Sequence, residues 1–414
     1  MLATATFDCT TDALDVVGAD LSVTLADGSA SRFVNLDLAA SAPCVRAAAR
    51  AVEAVLPWYA SVHRGAGARS ARCTLEYERA RQSVGDFVGA GAQDLVVFTR
   101  NTTDATNLLA RALPTGTTTV VFETEHHATL LPWPNARRLP APQSPDDAVR
   151  ALEAALRYLA GPVLVAVTGA SNVTGEIWPV RRLADVAHAH GARLFVDAAQ
   201  LAPHTPVDLN ALGADYLAFS GHKLYAPFGA GVLVGRGDWL DAAPPYLAGG
   251  GASARVGDTA DDLTWATGPA RHEGGTPNLL GAVALAAVCD ALVAADRDAL
   301  HAHEQRLLAR LRAGVAAVPG VRDVSLFGPE HPRVGIVSLA LPGHDATAVA
   351  DRLGHEHGIG VRAGQFCAHP LARRLSGVDG SCGAAGATLL RASIGLGTTE
   401  EDVNRFVEAL RAVL

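Results

Sequence analysis

Lysine is almost absent from this chain of 414 residues. The 34 cationic side chains are 33 arginines and a single lysine, Lys223, which ends the tetrapeptide SGHK. Arginine keeps its proton in proteins, whereas a lysine amine that is desolvated or lies beside another cation can lose its proton and attack a carbonyl carbon. A lysine present only as a surface charge would be accompanied by others on exposed helices. We therefore interpret Lys223 as a residue with a chemical role.

Long apolar runs and clustered basic residues are also missing. No stretch approaches the ~18 apolar residues of a membrane span, and the first residues, MLATATFDCTTDALD, lack the basic and then apolar regions of a secretory signal. Hydrophobic residues make up 49% and charged residues 18%, which is typical of a soluble globular protein. The net charge of −8 without a basic stripe argues against nucleic acid or a membrane as a partner. We expect a cytoplasmic protein.

The six cysteines are widely spaced and form no CxxC pair. In a long cytoplasmic chain such cysteines are reduced thiols by default, so any special cysteine must be argued individually. The paired histidines of the sequence, such as His188 with His190, lack cysteine or acidic partners at ligand spacing. We predict that they lie on the surface and that the protein has no metal site.

Short apolar runs alternate with helical patterns through much of the chain. Predicted strands cover residues 95–98, 120–122, 163–167, 193–197 and 216–220. This alternation indicates an α/β fold with a mostly parallel sheet covered by helices on both faces. The run GVLVG, residues 231–235, follows Lys223 after a loop too short for a crossover, so we expect it to be antiparallel to its predecessor.

The length of the chain corresponds to about two to three domains. We expect residues 1–40 to form an extended segment that packs with a small domain, residues 41–297 to form a large domain, and residues 298–414 to form the small C-terminal domain. Two glycine-rich stretches, 248–262 and 376–387, are predicted to be mobile loops. A helix is predicted over residues 74–87, and a long helical region is predicted over residues 279–316.

Several polar residues follow the predicted strands, where open parallel sheets bind their ligands. Asp197, Asn172 and Lys223 come after three different strands, and Thr102 and Thr103 stand where a helix begins, a site suited to a phosphate. Taken singly, Asp197 and the two threonines are ordinary helix caps. Together, an acid, a lysine and a phosphate cradle on one sheet edge indicate pyridoxal 5'-phosphate.

The stretch VDAAQLAPHTPVDLNALGADYLAFSGHKLYAPFGAGVLVG closely resembles the cofactor-lysine region of the group II cysteine desulfurases, within the class V aminotransferase family. The motifs LDLAASAP, SVHRGAG, FTRNTTDATN, ETEHHATLLPW, TGASNVTGE, EGGTPN, VRAGQFCAHPL and LRASIGLGTTEEDV occur in that family's order. The resemblance implies the PLP-dependent fold type I, with a mostly parallel seven-stranded sheet domain and a smaller α+β C-terminal domain. It also implies a homodimer with active sites at the interface.

By the same resemblance, each site residue receives a role. Lys223 bonds to the cofactor, Asp197 keeps its pyridine nitrogen protonated and His126 stacks on its ring. The other cofactor contacts that the family implies are Gln200 and Asn172 at the phenolic oxygen, Thr102, Thr103, Ser220 and His222 at the phosphate, and Thr276 from the second subunit. The implied substrate-binding residues are Arg391, which pairs with the carboxylate, Arg362, and His63 and Arg64 near the entrance.

A lone cysteine such as Cys367 is usually a small buried hydrophobe. Here it lies in AGQFCAHP between Arg362 and His369, and nearby cations favour the reactive thiolate. The matching family position makes Cys367 the nucleophile of a cysteine desulfurase, which converts L-cysteine to L-alanine, forms a Cys367 persulfide and passes sulfur to an acceptor protein. The chain departs from the family at Gln365 and Phe366, where histidines are common.

Three alternatives remain open. A carbon–sulfur β-lyase uses the same cofactor constellation without needing Cys367, and an aminotransferase or epimerase of specialised metabolism uses it for other amino acids. A non-catalytic effector module is disfavoured, because the chain retains Lys223 and Arg391 and shows no appended DNA-binding segment. Cys382, in the second glycine-rich stretch, is interpreted as a passive loop residue.

Overall fold

Strands and helices alternate along most of the chain in the computed structural model, which describes residues 12–259, 261–377 and 388–414. The strands are β1 (Ser22–Thr24), β2 (Ala30–Arg32), β3 (Val34–Asn35), β4 (Asp94–Thr99), β5 (Thr118–Phe122), β6 (Ala136–Leu139), β7 (Val163–Thr168), β8 (Arg193–Asp197), β9 (Tyr216–Ser220), β10 (Gly231–Arg236), β11 (Ser253–Val256), β12 (Leu263–Trp265), β13 (Arg322–Asp323), β14 (Ile336–Ala340), β15 (Ile359–Gly360), β16 (Arg362–Gly364) and β17 (Leu389–Ser393). The α-helices are α1 (Arg46–Val55), α2 (Ala68–Phe87), α3 (Thr102–Ala112), α4 (His127–Leu130), α5 (Pro145–Leu156), α6 (Val180–Ala189), α7 (Leu209–Leu212), α8 (Gly237–Ala242), α9 (Leu279–Ala294), α10 (Arg297–Ala316), α11 (Ala346–His357), α12 (His369–Ser376) and α13 (Glu400–Val413). Short 3-10 helices cover Leu56–Trp58 and Gly268–Arg271.

The central sheet has seven strands in the order β4-β10-β9-β8-β7-β5-β6. Strands β5 to β9 pair in parallel, whereas β10 is antiparallel to both β9 and β4. The mostly parallel sheet and the reversed direction of residues 231–235 are therefore confirmed. The edge strand β6 was not predicted, because three of its four residues are exposed and its sequence carries no apolar run.

Both faces of this sheet are buried, which explains why its strands read as continuous apolar runs. On β7, Val165 and Val167 pack into one core cluster, whereas Leu164 and Ala166 pack into another on the opposite face. Side chains alternate between the two faces of a strand, so each face needs its own helical layer. The two layers position the sheet edge that carries the predicted site.

A second, smaller unit is built on the antiparallel sheet β13-β14-β17-β16. Helices α10, α11 and α13 pack on it around a core that includes Leu311, Leu339 and Phe406. The N-terminal segment joins this core through Val34 and Leu36, because β3 pairs in parallel with β15. The smaller unit thus has the α+β composition that the family resemblance implied.

Two local predictions need correction. Helix α2 begins at Ala68, although the sequence pattern predicted a start at residue 74; Gly67, with φ of 128°, precedes it, and this backbone conformation is available to glycine. The stretch 248–262 was predicted to be a mobile loop, but its residues 253–256 form β11 and pair with β12. Residues 378–387 of the other stretch, with Cys382, lie outside the described residues.

The predicted helical region 279–316 is divided into α9 and α10, which meet at 93°. The first helix ends at Ala294, and Asp296 caps the second, because its side chain accepts a hydrogen bond from Ala299 N at 2.9 Å. No single helix of the described ranges is long and apolar enough to cross a membrane. Counted together across their bend, α9 and α10 reach that length and composition.

Candidate active site

A cavity of about 310 Å³ lies at the carboxyl ends of the parallel strands and is closed on one side by the smaller unit. It brings together all of the predicted site residues except His63, Arg64 and Thr276. The predicted residues that line it are Thr102, Thr103, His126, Asn172, Asp197, Gln200, Ser220, His222, Lys223, Arg362, Cys367 and Arg391. Residues separated by nearly 300 positions along the chain therefore share one space.

Lys223 lies just after β9, in a turn where its backbone N–H donates to Ser220 O at 3.2 Å. Burial lowers the pKa of its amine to about 8; the nearby Asp197 opposes this shift and Arg391 adds to it. A lysine amine with a lowered pKa has a larger neutral fraction near pH 7, and the neutral form is the nucleophile. The structure thus places the only lysine of the sequence where amine chemistry is favoured.

Asp197 ends β8 and is buried on the floor of the cavity. Its carboxylate accepts hydrogen bonds from Thr129 Oγ1 at 2.8 Å and from Ala199 N at 3.0 Å. The residues after it form turns and not a helix, so Asp197 is not a helix cap. A fixed buried carboxylate is suited to holding a protonated ring nitrogen. Thr129, which orients it, was missed from the sequence, although it lies in the motif ETEHHATLLPW.

The N-terminus of α3 and the end of β9 form an anion cradle. Thr102 N donates to Ser220 Oγ at 2.8 Å, and the hydroxyl oxygens of Thr102 and Ser220 are 2.7 Å apart. His222 borders the same region and lies 3.4 Å from Ser41 Oγ through its Nδ1. Hydroxyls and free backbone amides at a helix start bind phosphate groups well.

His126 is held as a neutral ring. Its Nδ1 accepts a hydrogen bond from Ala128 N at 3.0 Å, so the ring caps the short helix α4 and Nε2 carries the proton. Burial lowers the pKa of His126 to about 4, and the charge of Lys223 contributes to this shift. A neutral imidazole is suited to stacking against an aromatic cofactor ring.

This lowered pKa predicts a pH dependence of stability. Because the pKa of His126 is about 4 in the folded protein and 6.5 as a free group, its stabilising contribution is present above pH 6.5 and is lost as the pH falls towards 4. In the cofactor-free protein, His126→Asn keeps an acceptor for Ala128 N without a titrating ring. We expect the loss of unfolding free energy between pH 7 and pH 5 to be about 2 kcal/mol smaller in this variant.

Urea unfolding at the two pH values measures the difference. The exposed His344 provides a matched control, since His344→Asn removes a histidine that does not line the cavity. An equal pH slope in the His126→Asn variant and the parent would contradict the neutral, buried state assigned to His126.

Asn172 and Gln200 hold neighbouring segments in place. Asn172 Nδ2 donates to Phe366 O at 2.7 Å, and Gln200 Nε2 donates to Ala39 O at 2.8 Å. Both side chains line the cavity. Asn172 therefore joins the end of β7 to the cysteine loop of the smaller unit, a contact between residues 194 positions apart.

Arg391 lies in the middle of β17 and is buried. Its Nη1 donates to Asn172 O at 2.9 Å, and the ring of Phe366 lies 4.8 Å from its guanidinium carbon. Its buried Nε has no hydrogen-bond partner among the described residues. A buried donor without a partner is costly, so this side of Arg391 is ready to receive an acceptor such as a carboxylate.

Cys367 is exposed at the mouth of the cavity. Phe366 and Cys367 both have left-handed backbone conformations, with φ of 51° and 53°. This strained turn is held by the bond from Asn172 and by His127 N, which donates to Cys367 O at 2.7 Å. Cys367 lies close enough to Lys223 and Arg391 to contribute to the pKa of both side chains, which it raises.

The remaining predicted residues lie elsewhere. His63 and Arg64 line a separate cavity, where His63 Nε2 lies 2.7 Å from Glu78 Oε1. Thr276 is exposed, and its sequence neighbours Gly275 and Pro277 line that same cavity. Within the described ranges, no group of three histidine, cysteine or acidic side chains is arranged to hold a metal ion.

The cavity residues fit pyridoxal 5'-phosphate. The cofactor needs an amine for its aldehyde, an acid for its pyridine nitrogen and an anion site for its phosphate, and Lys223, Asp197 and the Thr102–Ser220 cradle supply these three at one strand edge. The unpartnered Arg391 Nε adds a place for the carboxylate of an amino acid.

Comparisons with known proteins agree with this geometry. Residues 34–406 match the model of the family described as Aminotransferase class-V. The chain is 37% identical over 414 residues to a cysteine desulfurase of Dickeya dadantii (strain 3937), covering 97% of this chain and 96% of that protein. It is 36% identical over 415 residues to a cysteine desulfurase of Klebsiella pneumoniae (strain 342), covering 97% of this chain and 98% of that protein.

Two solved structures are also similar. The apo structure of a cysteine desulfurase from Thermococcus onnurineus NA1 is 31% identical, with a TM-score of 0.81, and the match covers 92% of this chain and 94% of that one. The cysteine desulfurase CsdA from Escherichia coli is 31% identical, with a TM-score of 0.78 and the same coverage.

Proposed function

The chain belongs to the class V aminotransferase family and is a pyridoxal 5'-phosphate-dependent enzyme of the cysteine desulfurase kind, and on that premise we propose that it acts on L-cysteine, stores the sulfur on Cys367 and works as a homodimer. The observation that carries the proposal is one cavity lined by Lys223, Arg391 and Cys367. An amine, a carboxylate partner and a thiol are the three groups that this reaction requires.

The binding residues follow from the geometry of the cavity. Lys223 would hold the cofactor, Asp197 its pyridine nitrogen and the Thr102–Ser220 cradle its phosphate, beside the neutral ring of His126. When bound, pyridoxal 5'-phosphate supplies an electron sink for the pair left at the substrate Cα. Arg391 binds and orients the substrate carboxylate.

Lys223 then acts as the base. Once the substrate amine has displaced it, its Nζ takes the Cα proton, and the lowered pKa of about 8 in the free site keeps a usable neutral fraction near neutral pH.

Cys367 performs the sulfur transfer. Its thiolate attacks the substrate sulfur, a new S–S bond forms and the Cβ–S bond breaks. The electron pair of the broken bond stays with the carbon fragment, where Cβ takes up a proton. The sulfur is oxidised by two electrons and Cβ is reduced by two, so no external oxidant is needed. The products are L-alanine and a Cys367 persulfide, whose exposed position gives a thiol of an acceptor protein access to the sulfur.

A substrate panel tests this function. We expect the holoenzyme to form alanine and transferable sulfur in equal amounts from L-cysteine in the presence of a thiol. A carbon–sulfur β-lyase would instead form pyruvate and ammonia. An aminotransferase would transfer the amino group of its substrate to a 2-oxo acid and leave the substrate's own 2-oxo acid as the product. Either of these as the dominant reaction would contradict the proposal.

The homodimer is supported by exposed apolar side chains that lie close in sequence to residues of the His63–Arg64 cavity. Leu56, Trp58 and Tyr59 precede His63 in sequence, Leu247 precedes β11, and Val256 is the last residue of β11. All five side chains are exposed in the single chain. A second copy is the occupant that would cover them, since this part of the chain also carries Thr276, which the family resemblance assigns to the site of the second subunit.

Sedimentation equilibrium of the holoenzyme should therefore give twice the mass of the chain. Trp58→Asp places a charge in this apolar surface and should shift the protein towards the monomer, whereas Tyr158→Asp, at an exposed aromatic side chain elsewhere, should not. A monomeric parent would contradict the dimer.

A further inference from the structure

Two cavity arginines share one carboxylate, that of Asp37. Asp37 Oδ2 lies 2.9 Å from Arg362 Nη2, and Asp37 Oδ1 lies 3.4 Å from Arg391 Nη2. Asp37 follows β3 in the motif LDLAASAP, and its backbone N–H donates to Asn35 Oδ1 at 3.1 Å. The sequence analysis assigned no role to Asp37, because its arginine partners are more than 320 positions away.

Asp37 lies behind the two arginines. Arg362 and Arg391 line the cavity, whereas Asp37 is not among its lining residues in the described ranges. The side chains of Arg391, Asp37 and Arg362 are 4%, 21% and 50% exposed. The carboxylate is therefore a partly buried counter-ion that acts on a ligand through the arginines.

Arg391 depends on this counter-ion. Burial lowers the pKa of Arg391 to about 10, and Asp37 opposes that shift. The guanidinium is further fixed by Asn172 O and by the ring of Phe366. The orientation of the guanidinium is thus held by several contacts, whereas Asp37 is the carboxylate that offsets its positive charge.

Building on the proposed function, in which Arg391 binds the substrate carboxylate, we propose that Asp37 is a positioning residue that sets the charge preference of this site. It neutralises one of two guanidinium groups, so the Arg362–Asp37–Arg391 group carries one net positive charge. One positive charge matches an amino acid with a single carboxylate and an uncharged side chain, such as L-cysteine. An amino acid with a second acidic group meets too little positive charge.

Asp37→Asn tests the charge while keeping the size and an acceptor oxygen. We compare binding of propionate and succinate to the holoenzyme by isothermal titration calorimetry, because both lack an amine and cannot react. Removing the negative charge of Asp37 beside the two arginines should lower the dissociation constant of succinate relative to that of propionate by about tenfold at low salt. Asp37→Glu should restore the preference of the parent.

A matched control is available in the smaller unit. Asp323 also lies between two arginines, 2.8 Å from Arg312 Nε and 3.0 Å from Arg333 Nη1, with its side chain 18% exposed, and it does not line the described cavity. Asp323→Asn should leave the ratio unchanged. A merely structural role for Asp37 would weaken both acids equally.

Kinetics give an independent second readout. The ratio of kcat/KM for L-cysteine sulfinate over L-cysteine should rise by about tenfold in Asp37→Asn, through KM more than kcat. If the parent forms no alanine from L-cysteine, the proposed function fails, but the calorimetric ratio still tests Asp37. An unchanged ratio, an equal loss for both acids, or the same shift in Asp323→Asn would overturn the inference.

Discussion

Replacing Cys367 with alanine is expected to reduce alanine formation from L-cysteine by at least about a thousandfold, because the variant lacks the nucleophile that takes the sulfur. The cofactor residues stay in place, since Cys367 contacts the rest of the site through its backbone: its carbonyl accepts from His127 N at 2.7 Å. Cofactor absorbance and binding of L-cysteine should therefore remain close to those of the parent. Alanine release, measured by chromatography, checks the first expectation.

Cys44 is the matched control, because it is a partly buried free thiol that does not line the described cavity. Cys44→Ala should retain the activity of the parent. If Cys367→Ala still forms alanine and sulfide from L-cysteine at the parent rate, the reaction does not pass through a thiol at this position. Pyruvate and ammonia formed by the variant at the parent rate would instead indicate a β-lyase.

Replacing Lys223 should abolish both the covalent attachment of the cofactor and turnover, with a loss of at least about a thousandfold in kcat, because the same amine binds the aldehyde and removes the Cα proton. Borohydride reduction of the parent holoenzyme should fix the mass of the cofactor on one peptide. The sequence makes this test clean, since the chain has a single lysine.

Lys223→Arg is the matched variant for this prediction. It keeps a cation near Asp197 but cannot form the covalent bond, so it should give no borohydride label. Peptide mapping by mass spectrometry measures the site of labelling. A label absent from the Lys223 peptide of the parent would contradict the assignment of the cofactor site.

Much of this site could be predicted from the sequence because parallel strands bring their carboxyl ends to one edge. Asp197 ends β8 and Lys223 follows β9, so the order of short apolar runs was enough to place them together. The direction of β10 also followed from local information, since its connection to β9 is too short for a crossover.

Contacts between distant segments could not be predicted in this way. The bond from Asn172 to Phe366 O and the approach of Asp37 to Arg391 depend on how the smaller unit packs against the sheet. Propensity and spacing describe local structure and contain no information on such packing. Thr129 was missed for a related reason, because a threonine in a helical turn has no signature that marks a partner on another strand.

Irregular elements were the other weak point. The β11–β12 pair lies in a glycine-rich stretch whose composition is typical of a loop, and its strands become visible only through their pairing. The break between α9 and α10 depends on the single capping residue Asp296 within an otherwise continuous helical pattern. In both cases a tertiary or capping contact outweighs average composition.

Transfer of the substrate sulfur to Cys367 is tested most directly by one experiment. The holoenzyme is mixed with L-cysteine without an acceptor, alkylated at once and digested, and its cysteine peptides are analysed by mass spectrometry. We predict one added sulfur atom on the Cys367 peptide, none on the Cys44 peptide, and one alanine per modified site. Alanine formed in that amount with an unmodified Cys367 peptide would contradict the mechanism.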